Sequence, residues 1–339
     1  MKVKAMTKIL MDPANKTVLR EAPFEALRSF ITPTSNHFVL AALGIPRPKP
    51  DEWSVTVGGS VAQPQTLSLA DIYALPAKTL AVTLECAGDP LNPDKPVRRV
   101  STARWRGVPL ANVLDQARPI PGSTHVWMDG ADWGVYRPGT AAAERVTEYR
   151  KDLTLERIRR GDVLLAYEMN EEPLPPEHGY PLRVIIPGYY GTNSVKWVNN
   201  LIVASGRPSS LFSSVLYNTA EKVDGAIERQ QVADVLVNSM LTSQRTGDAL
   251  AVGTRRLTGW AWGAHEITRV QVRIDPDGEW FDANVGPKTD YAWQSFEGIW
   301  TALRPGRHII STRATDCRGN VQPPDVHINQ ILSVEVEVA

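Results

Sequence analysis

Short apolar, β-rich runs separated by proline and glycine most constrain what this chain can fold into. Val163 to Tyr167, Leu182 to Ile186 and Val195 to Val203 are such runs, and Thr79 to Leu84 alternates toward a strand that ends next to Cys86. Trp53 to Val57 reads as a strand closed by the Gly58-Gly59 turn, and Thr124 to Asp129 as another. Between them fall short helices. Ser68 is placed to cap one over Leu69 to Leu75, Pro109 opens one ending at Ala117, and Thr154 caps one over Leu155 to Arg160 that Gly161 closes. Strands and short helices thus intermix without the βαβα rhythm of a doubly wound sheet, which makes residues 1–205 a mixed α+β domain. The proline-rich stretch Ile45 to Pro50 suggests that residues 1–50 are an extended arm rather than packed structure.

After Gly206-Arg207-Pro208 the texture changes. Val232 to Val237, Leu257 to Trp262, Thr268 to Ile274, Ile309 to Thr315 and Leu332 to Val338 are strand-like, and little reads as helix. Residues 206–339 are therefore expected to form an immunoglobulin-like β-sandwich. At 339 residues the chain accommodates two such domains.

Lys+Arg and Asp+Glu both number 37, so no net charge draws the chain to nucleic acid or to an anionic membrane. No apolar run is long enough to span a bilayer. The first residues lack a signal-type apolar segment and a twin-arginine pair, so the expected compartment is cytoplasmic, or periplasmic if a leader was removed before Met1. Of the two cysteines, Cys86 and Cys317, neither belongs to a CxxC zinc pair or a CxxCH haem site, and their separation argues against a disulfide.

Three stretches carry candidate chemistry. Thr83-Leu84-Glu85-Cys86-Ala87-Gly88 ends a strand on a cysteine with small neighbours, which permits close approach of a bulky group. His178-Gly179-Tyr180-Pro181-Leu182-Arg183 and Ser194-Val195-Lys196 bring a His, an Arg and a Lys to irregular turns suited to an anion. Spacing alone leaves other readings open. A lone cysteine at a strand end is more often a small buried hydrophobe, and a cysteine nucleophile pairing Cys86 with His178 would lack the usual glycine-rich turn.

Taken together, Leu84-Glu85-Cys86-Ala87-Gly88, Ser101 to Gly107, Leu164 to Asn170, Pro173-Leu174-Pro175, His178 to Arg183 and Val195-Lys196-Trp197 resemble the sulfite oxidase family in order and spacing. Gly259 to Trp262 and Val270-Gln271-Val272 resemble that family's dimerisation sandwich. The resemblance implies a molybdenum–molybdopterin cofactor whose metal takes a thiolate from Cys86, with cofactor contacts from Asn36, His37, Asp132, His178, Arg183, Ser194, Val195 and Lys196. It further implies an active-site tyrosine at Tyr217, a pocket tryptophan at Trp105, a small-molecule substrate, a homodimer, and an external electron acceptor such as a cytochrome. The chain departs from the family at its sulfite-binding arginines. Ser35 precedes Asn36-His37, Asp89-Pro90-Leu91 follows Cys86-Ala87-Gly88, and Asp325 to Leu332 contains no Asn-x-Arg-Gly segment. Arg98, Arg99, Arg104, Arg106 and Arg137 are the cations that would have to compensate. Each charge-assisted hydrogen bond lost to an oxoanion costs about 1.5–3 kcal/mol, so sulfite binding without replacements would fall by orders of magnitude.

Overall fold

The computed structural model describes residues 17–88, 99–136, 145–223, 226–324 and 329–339. Strands dominate these residues, and the three α-helices among them are short. The N-terminal segment opens with β1 (Val18–Arg20), which pairs antiparallel with β2 (Val39–Ala41). A hairpin of β3 (Ser54–Gly59) and β4 (Gln65–Ser68) leads into α1 (Leu69–Tyr73). There Ser68 accepts from the Asp71 amide while the Asp71 carboxylate accepts from the Ser68 amide, a reciprocal cap that starts the helix where the sequence placed it. Next come β5 (Lys78–Glu85), β6 (Val100–Pro109), α2 (Leu110–Ala117), β7 (His125–Tyr136), β8 (Arg145–Thr154) and α3 (Leu155–Ile158). This half closes with β9 (Leu164–Met169), β10 (Glu172–Pro173), β11 (Arg183–Ile185) and β12 (Val198–Ala204).

These strands form two five-stranded sheets. One runs β10-β9-β6-β5 with β11 beside β9, and the other runs β4-β3-β12-β7-β8, in which only the β12–β3 pairing is parallel. A single apolar cluster lies between them, built from Val55 and Val57, Val126 and Met128, Leu201 and Val203, Leu165 and Val184, and the buried face of α2. The other face of β5, β6 and β9 packs a second cluster containing Leu80, Val82, Leu84, Cys86 and Trp105. β5 is therefore buried on both faces from Leu80 to Glu85 although its sequence alternates.

A hairpin of β13 (Asn218–Val223) and β14 (Ala226–Gln231) follows. The remainder is β15 (Asn238–Leu241), β16 (Asp248–Leu250), β17 (Gly253–Trp262), β18 (Ile267–Ile274), β19 (Phe281–Val285), β20 (Gln294–Ala302), β21 (Gly306–Asp316) and β22 (Leu332–Val338). They hydrogen-bond in the order β15-β17-β20-β19-β18-β21-β22-β16. Because β19 pairs with both β18 and β20, the sheet folds over on itself, and Leu257 and Phe296 from one side meet Val272, Ile310 and Val336 from the other in one core.

Some expectations need correction. Within the described residues the arm before residue 50 is packed: Ala22, Phe24, Leu27, Phe38, Val39, Ala41 and Leu43 are all buried. Its carbonyls are satisfied from a distance, since Trp260 donates to the Leu27 carbonyl and Trp293 to that of Phe30. The prolines from Pro46 to Pro50 lie outside any ladder, but before them β1 pairs with β2 and the residues just named are buried. The run Val232 to Val237 is not a strand. It crosses as an extended tie, with the Tyr190 amide on the Ala233 carbonyl and the Val235 amide on that of Gly188. The run from Val195 becomes a strand only at Val198, because Trp197 takes a φ of 52°. The leader-region reading at residues 1–16, Asp89-Pro90-Leu91, Arg98, Arg137, and the 325–328 part of the late segment lie outside the described residues.

Candidate active site

Cys86 stands where β5 leaves its sheet, 6% exposed, its amide donating to the Arg99 carbonyl at 2.9 Å. Above it opens a pocket of about 720 Å³ including its mouth, lined by His37, Asp132, His178, Arg183, Ser194, Lys196 and Tyr217 together with Phe38, Leu84, Tyr149 and Thr192. Widely separated parts of the chain thus converge on one thiol.

The two histidines meet edge to face with ring centroids 5.1 Å apart, and both are almost wholly buried. His37 Nδ1 lies 3.1 Å from the Phe38 carbonyl, an acceptor, so Nδ1 carries the proton and Nε2 is left with a bare lone pair. Burial pushes His37 down to about 3, and burial followed by the neighbouring His37, Arg183 and Lys196 pushes His178 down further. Both imidazoles are therefore neutral at physiological pH.

Arg183 enters on β11 and is fixed on three sides. Nη1 donates to the His178 carbonyl (3.0 Å), Nη2 to that of Ser194 (3.3 Å), and the guanidinium lies 4.7 Å over the Trp105 ring. Burial brings it down to about 9. The Lys196 ammonium donates to the carbonyls of Leu40 (3.0 Å) and Glu177 (2.9 Å), tying the N-terminal arm to the His178 turn. Asp132 and Lys196 face one another in this buried setting. Burial raises the carboxyl against the pull of Lys196, and burial together with Arg183 lowers the ammonium. Gly179, at a φ of 110°, is the hinge of this cradle. A Cβ there would stand 3.0 Å from Arg183 Cβ and 3.1 Å from Lys196 Cβ.

Tyr217 reaches the pocket from beyond residue 205, at a φ of 55°, immediately after the irregular turn Leu211–Val215. Burial, helped by the nearby Cys86 thiol, pushes its phenol up to about 12, so it remains a donor at neutral pH. Tyr149 donates to the Thr192 carbonyl at 2.7 Å, and its hydroxyl also lies 3.0 Å from Thr192 Oγ1.

Three of the expected site residues stand elsewhere. Trp105 is fully buried behind the pocket wall, under Arg183 and edge-on to His37, and does not line the cavity. Val195 points into the core with both backbone polar groups in use, on Asn193 and Val184. Asn36 does not line the cavity either; it ends the turn that delivers His37, and its side-chain oxygen accepts from Ser35. Among the candidate compensating arginines, Arg104 and Arg106 face Glu171 and Glu168 at the surface, each at 4.0 Å. Arg99 holds the Gly88 carbonyl at 2.6 Å and thereby pins the Cys86 turn. None of the three lines the cavity.

Sequence reasoning missed Tyr149 and Thr192, whose approach depends on how β8 meets the turn at Gly191–Asn193. It also missed the support that the folded-over sheet gives to β5. Tyr291 exchanges backbone hydrogen bonds with Ala81 and Thr83 along the free edge of β5. Glu85, 2% exposed and adjacent to Cys86, accepts from Trp262 Nε1 at 2.9 Å and Asn238 Nδ2 at 3.3 Å.

Residues 42–212, half of the chain, match the model of the oxidoreductase molybdopterin binding domain. Sulfite oxidase of Gallus gallus is 31% identical over 90% of this chain and 71% of its own length. The chain belongs to the sulfite oxidase family of molybdopterin-dependent oxidoreductases. Homo sapiens mitochondrial sulfite oxidase is likewise 31% identical, and the chain spans 60% of its length. An NADH nitrate reductase of Brassica napus is 30% identical over 77% of this chain and 32% of its own. In fold, the chain superposes on the sulfane dehydrogenase SoxCD of Paracoccus pantotrophus with a TM-score of 0.78 at 22% identity, covering 99% of this chain and 90% of that one.

Sulfite oxidase family membership brings a molybdenum cofactor, and the cavity is chemically suited to one. His37 Nε2, His178 Nε2, Arg183 Nε and Asp132 Oδ1 are buried without a protein hydrogen-bond partner. A buried polar atom is seldom left unpaired in a folded protein, and here four belong to residues lining a single cavity. Acceptors and donors are mixed among them, as a pterin ring edge requires, and the one soft donor is the Cys86 sulfur.

Proposed function

We propose that this chain catalyses two-electron oxygen-atom transfer on a small substrate docked between Cys86 and Tyr217, with sulfite as the first candidate. The observation that carries the reading is the convergence of four unpartnered buried polar atoms and the Cys86 thiol in one cavity. When bound, the molybdenum cofactor supplies a two-electron redox centre able to give or accept an oxygen atom. Cys86 is assigned as the metal's protein ligand. Neutral His37 and His178 offer lone pairs, Asp132 an acceptor oxygen, and Arg183 its unused Nε–H to the organic part of the cofactor, with Lys196 and Ser194 completing that wall. Tyr217, protonated at neutral pH, donates toward an oxygen of the substrate and fixes its approach. Phe38 and Leu84 keep that end of the cavity apolar.

One observation favours a second substrate class. Arg183 and Lys196 spend hydrogen bonds on backbone carbonyls, and Tyr149, Thr192 and Tyr217 bring hydroxyl groups to the same cavity. Hydroxyl donors suit a neutral sulfur, nitrogen or organic oxide better than a dianion. The test is the molybdenum content of the purified protein and its absorption spectrum with and without sulfite. Near-stoichiometric molybdenum bleached by sulfite supports the first reading. Molybdenum inert to sulfite but reoxidised, after chemical reduction, by a neutral oxide supports the second. Absence of molybdenum after expression in a cofactor-competent host refutes both.

We further propose that residues 1–205 form the cofactor domain and residues 206–339 an immunoglobulin-like sandwich that pairs two copies of the chain, with the segment from 206 to Tyr217 returning to the cavity. The separate core of the folded-over sheet supports that division. Electrons are expected to leave to an external acceptor such as a cytochrome. No described helix is long and apolar enough to cross a membrane.

A further inference from the structure

Lys151 sits in the middle of β8, opposite Met128 of β7, and is 0% exposed. Its strand neighbours are ion-paired, Arg150 with Asp129 and Asp152 with Arg207, each with its carboxylate buried. Strand alternation turns Lys151 the other way, into the protein. There, among the described residues, no carboxylate lies within ion-pair distance of it. Its Nζ instead donates to the Phe212 carbonyl at 2.9 Å and lies 5.6 Å from the centroid of the Tyr217 ring. Phe212 belongs to the irregular turn Leu211–Val215, and its ring packs between those of Tyr149 (4.4 Å) and Tyr136 (5.4 Å). An ammonium buried without a carboxylate is expensive, and an unbranched apolar side chain would fill the same space more favourably. The charge is retained at the one point where it touches both the turn that delivers Tyr217 and the face of the Tyr217 ring.

We propose that Lys151 is a positioning residue for Tyr217: its ammonium anchors the Phe212 turn and holds the aromatic face, and so sets where the phenol stands relative to Cys86. The consequence for turnover rests on the reading of Tyr217 as the substrate-facing donor; the placement of the ring does not. A cation desolvated over an aromatic face interacts more strongly than at the surface, because little water competes for it. Burial, opposed by Asp152 on the same strand and aided by Arg207, brings the ammonium down to about 8. Tyr217 and the Phe212 carbonyl meet it directly, and Asp152 and Arg207 are the charged groups that act on it from the other side of the strand. Raising the pH through that value removes the charge from the ring and loosens the anchor.

The test places 4-fluorophenylalanine at position 217, a probe with no titratable group, and follows its ¹⁹F resonance in the full chain. In the otherwise native protein the signal is expected to shift between pH 7 and 9. In Lys151→Arg it should stay at its low-pH position throughout, and in Lys151→Met it should be displaced and flat. With Tyr217 restored, Lys151→Met is expected to lower kcat about thirty-fold, the rate equivalent of losing a desolvated cation–π contact, with KM changed less than about threefold, and Lys151→Arg should recover most of the loss. A resonance unmoved by pH in the native background overturns the proposal without any variant having to fold. A displaced resonance in Lys151→Met with unchanged kcat overturns its catalytic part. If the protein turns over no substrate, the proposed function fails, while the ¹⁹F titration still decides whether Lys151 holds the ring.

Discussion

Replacing Trp262 with phenylalanine tests whether the folded-over sheet holds the strand that presents Cys86. Trp262 Nε1 donates at 2.9 Å to the Glu85 carboxylate, and both residues are 2% exposed. Removing the donor leaves a buried carboxyl oxygen short of a partner, at a cost of about 1.5–3 kcal/mol. The smaller ring adds roughly 1 kcal/mol, from the volume left beside Trp293 at about 24 cal/mol per Å³. Trp262→Phe is therefore expected to destabilise by about 2.5–4 kcal/mol in urea unfolding. Because Glu85 is the residue before Cys86, molybdenum retained per chain should fall as well. Glu85→Gln keeps an acceptor oxygen for Trp262 and should lose only about 1 kcal/mol, the ordinary worth of a neutral hydrogen bond. The double variant should be less damaged than the sum of the two, by about 1–2 kcal/mol, since the contact can be lost only once. A Trp262→Phe protein within about 0.5 kcal/mol of the parent, or strict additivity in the double variant, would refute the coupling.

Cys86→Ser buries a hydroxyl in place of a thiol, a change of about 1–3 kcal/mol that the fold should survive, while turnover disappears; an active serine variant would overturn the ligand assignment. Arg157 and Asp162 form a buried bidentate pair, with Tyr291 donating to the same carboxylate at 2.6 Å. Burial alone would raise Asp162, but the Arg157 and Tyr291 hydrogen bonds outweigh it and hold the carboxyl below its ordinary value. A depressed folded-state pKa gives stability that is complete above about pH 4 and is lost as pH falls through the lowered value. Arg157→Met should therefore cost about 3–5 kcal/mol at pH 7, with a penalty that shrinks in more acidic urea titrations; a pH-independent penalty would contradict the pairing. A Cβ on Gly130 would stand 2.3 Å from Asp132 Oδ1 and 2.8 Å from the Lys196 carbonyl. Gly130→Ala should accordingly cost about 1–3 kcal/mol and reduce molybdenum content measured by elemental analysis, and a fully loaded, equally stable variant would count against the cradle as described.

Local chemistry makes much of the fold legible in the order of residues alone. Ser68 starts its helix through a reciprocal cap with Asp71, Thr154 caps another through its side chain, and Gly161 follows that second helix with a φ of 77°. These signals lie within a few residues of the elements they control, so no tertiary knowledge is needed to read them. The strand ending at Cys86 is equally readable, as are the turns holding His178, Arg183 and Lys196. Trp105 and Val195 are drawn toward the site by their neighbours in sequence, yet Arg183 and His37 cover Trp105 and Val195 packs into the core, so neither lines the cavity.

What the sequence determined by itself was therefore the local grammar: where strands and helices begin and stop, and which residue types stand at irregular turns able to hold an anion or a metal. Only the tertiary structure decided which turns meet. The packed arm from Ala22 to Leu43, the return of Tyr217 to Cys86, the approach of Tyr149 and Lys151 from β8, and the grip of Trp262 on Glu85 all join residues far apart in the chain. Periodicity reports which face of a segment is apolar, but not which other segment covers it. That choice belongs to long-range strand pairing and side-chain packing, which no local pattern encodes.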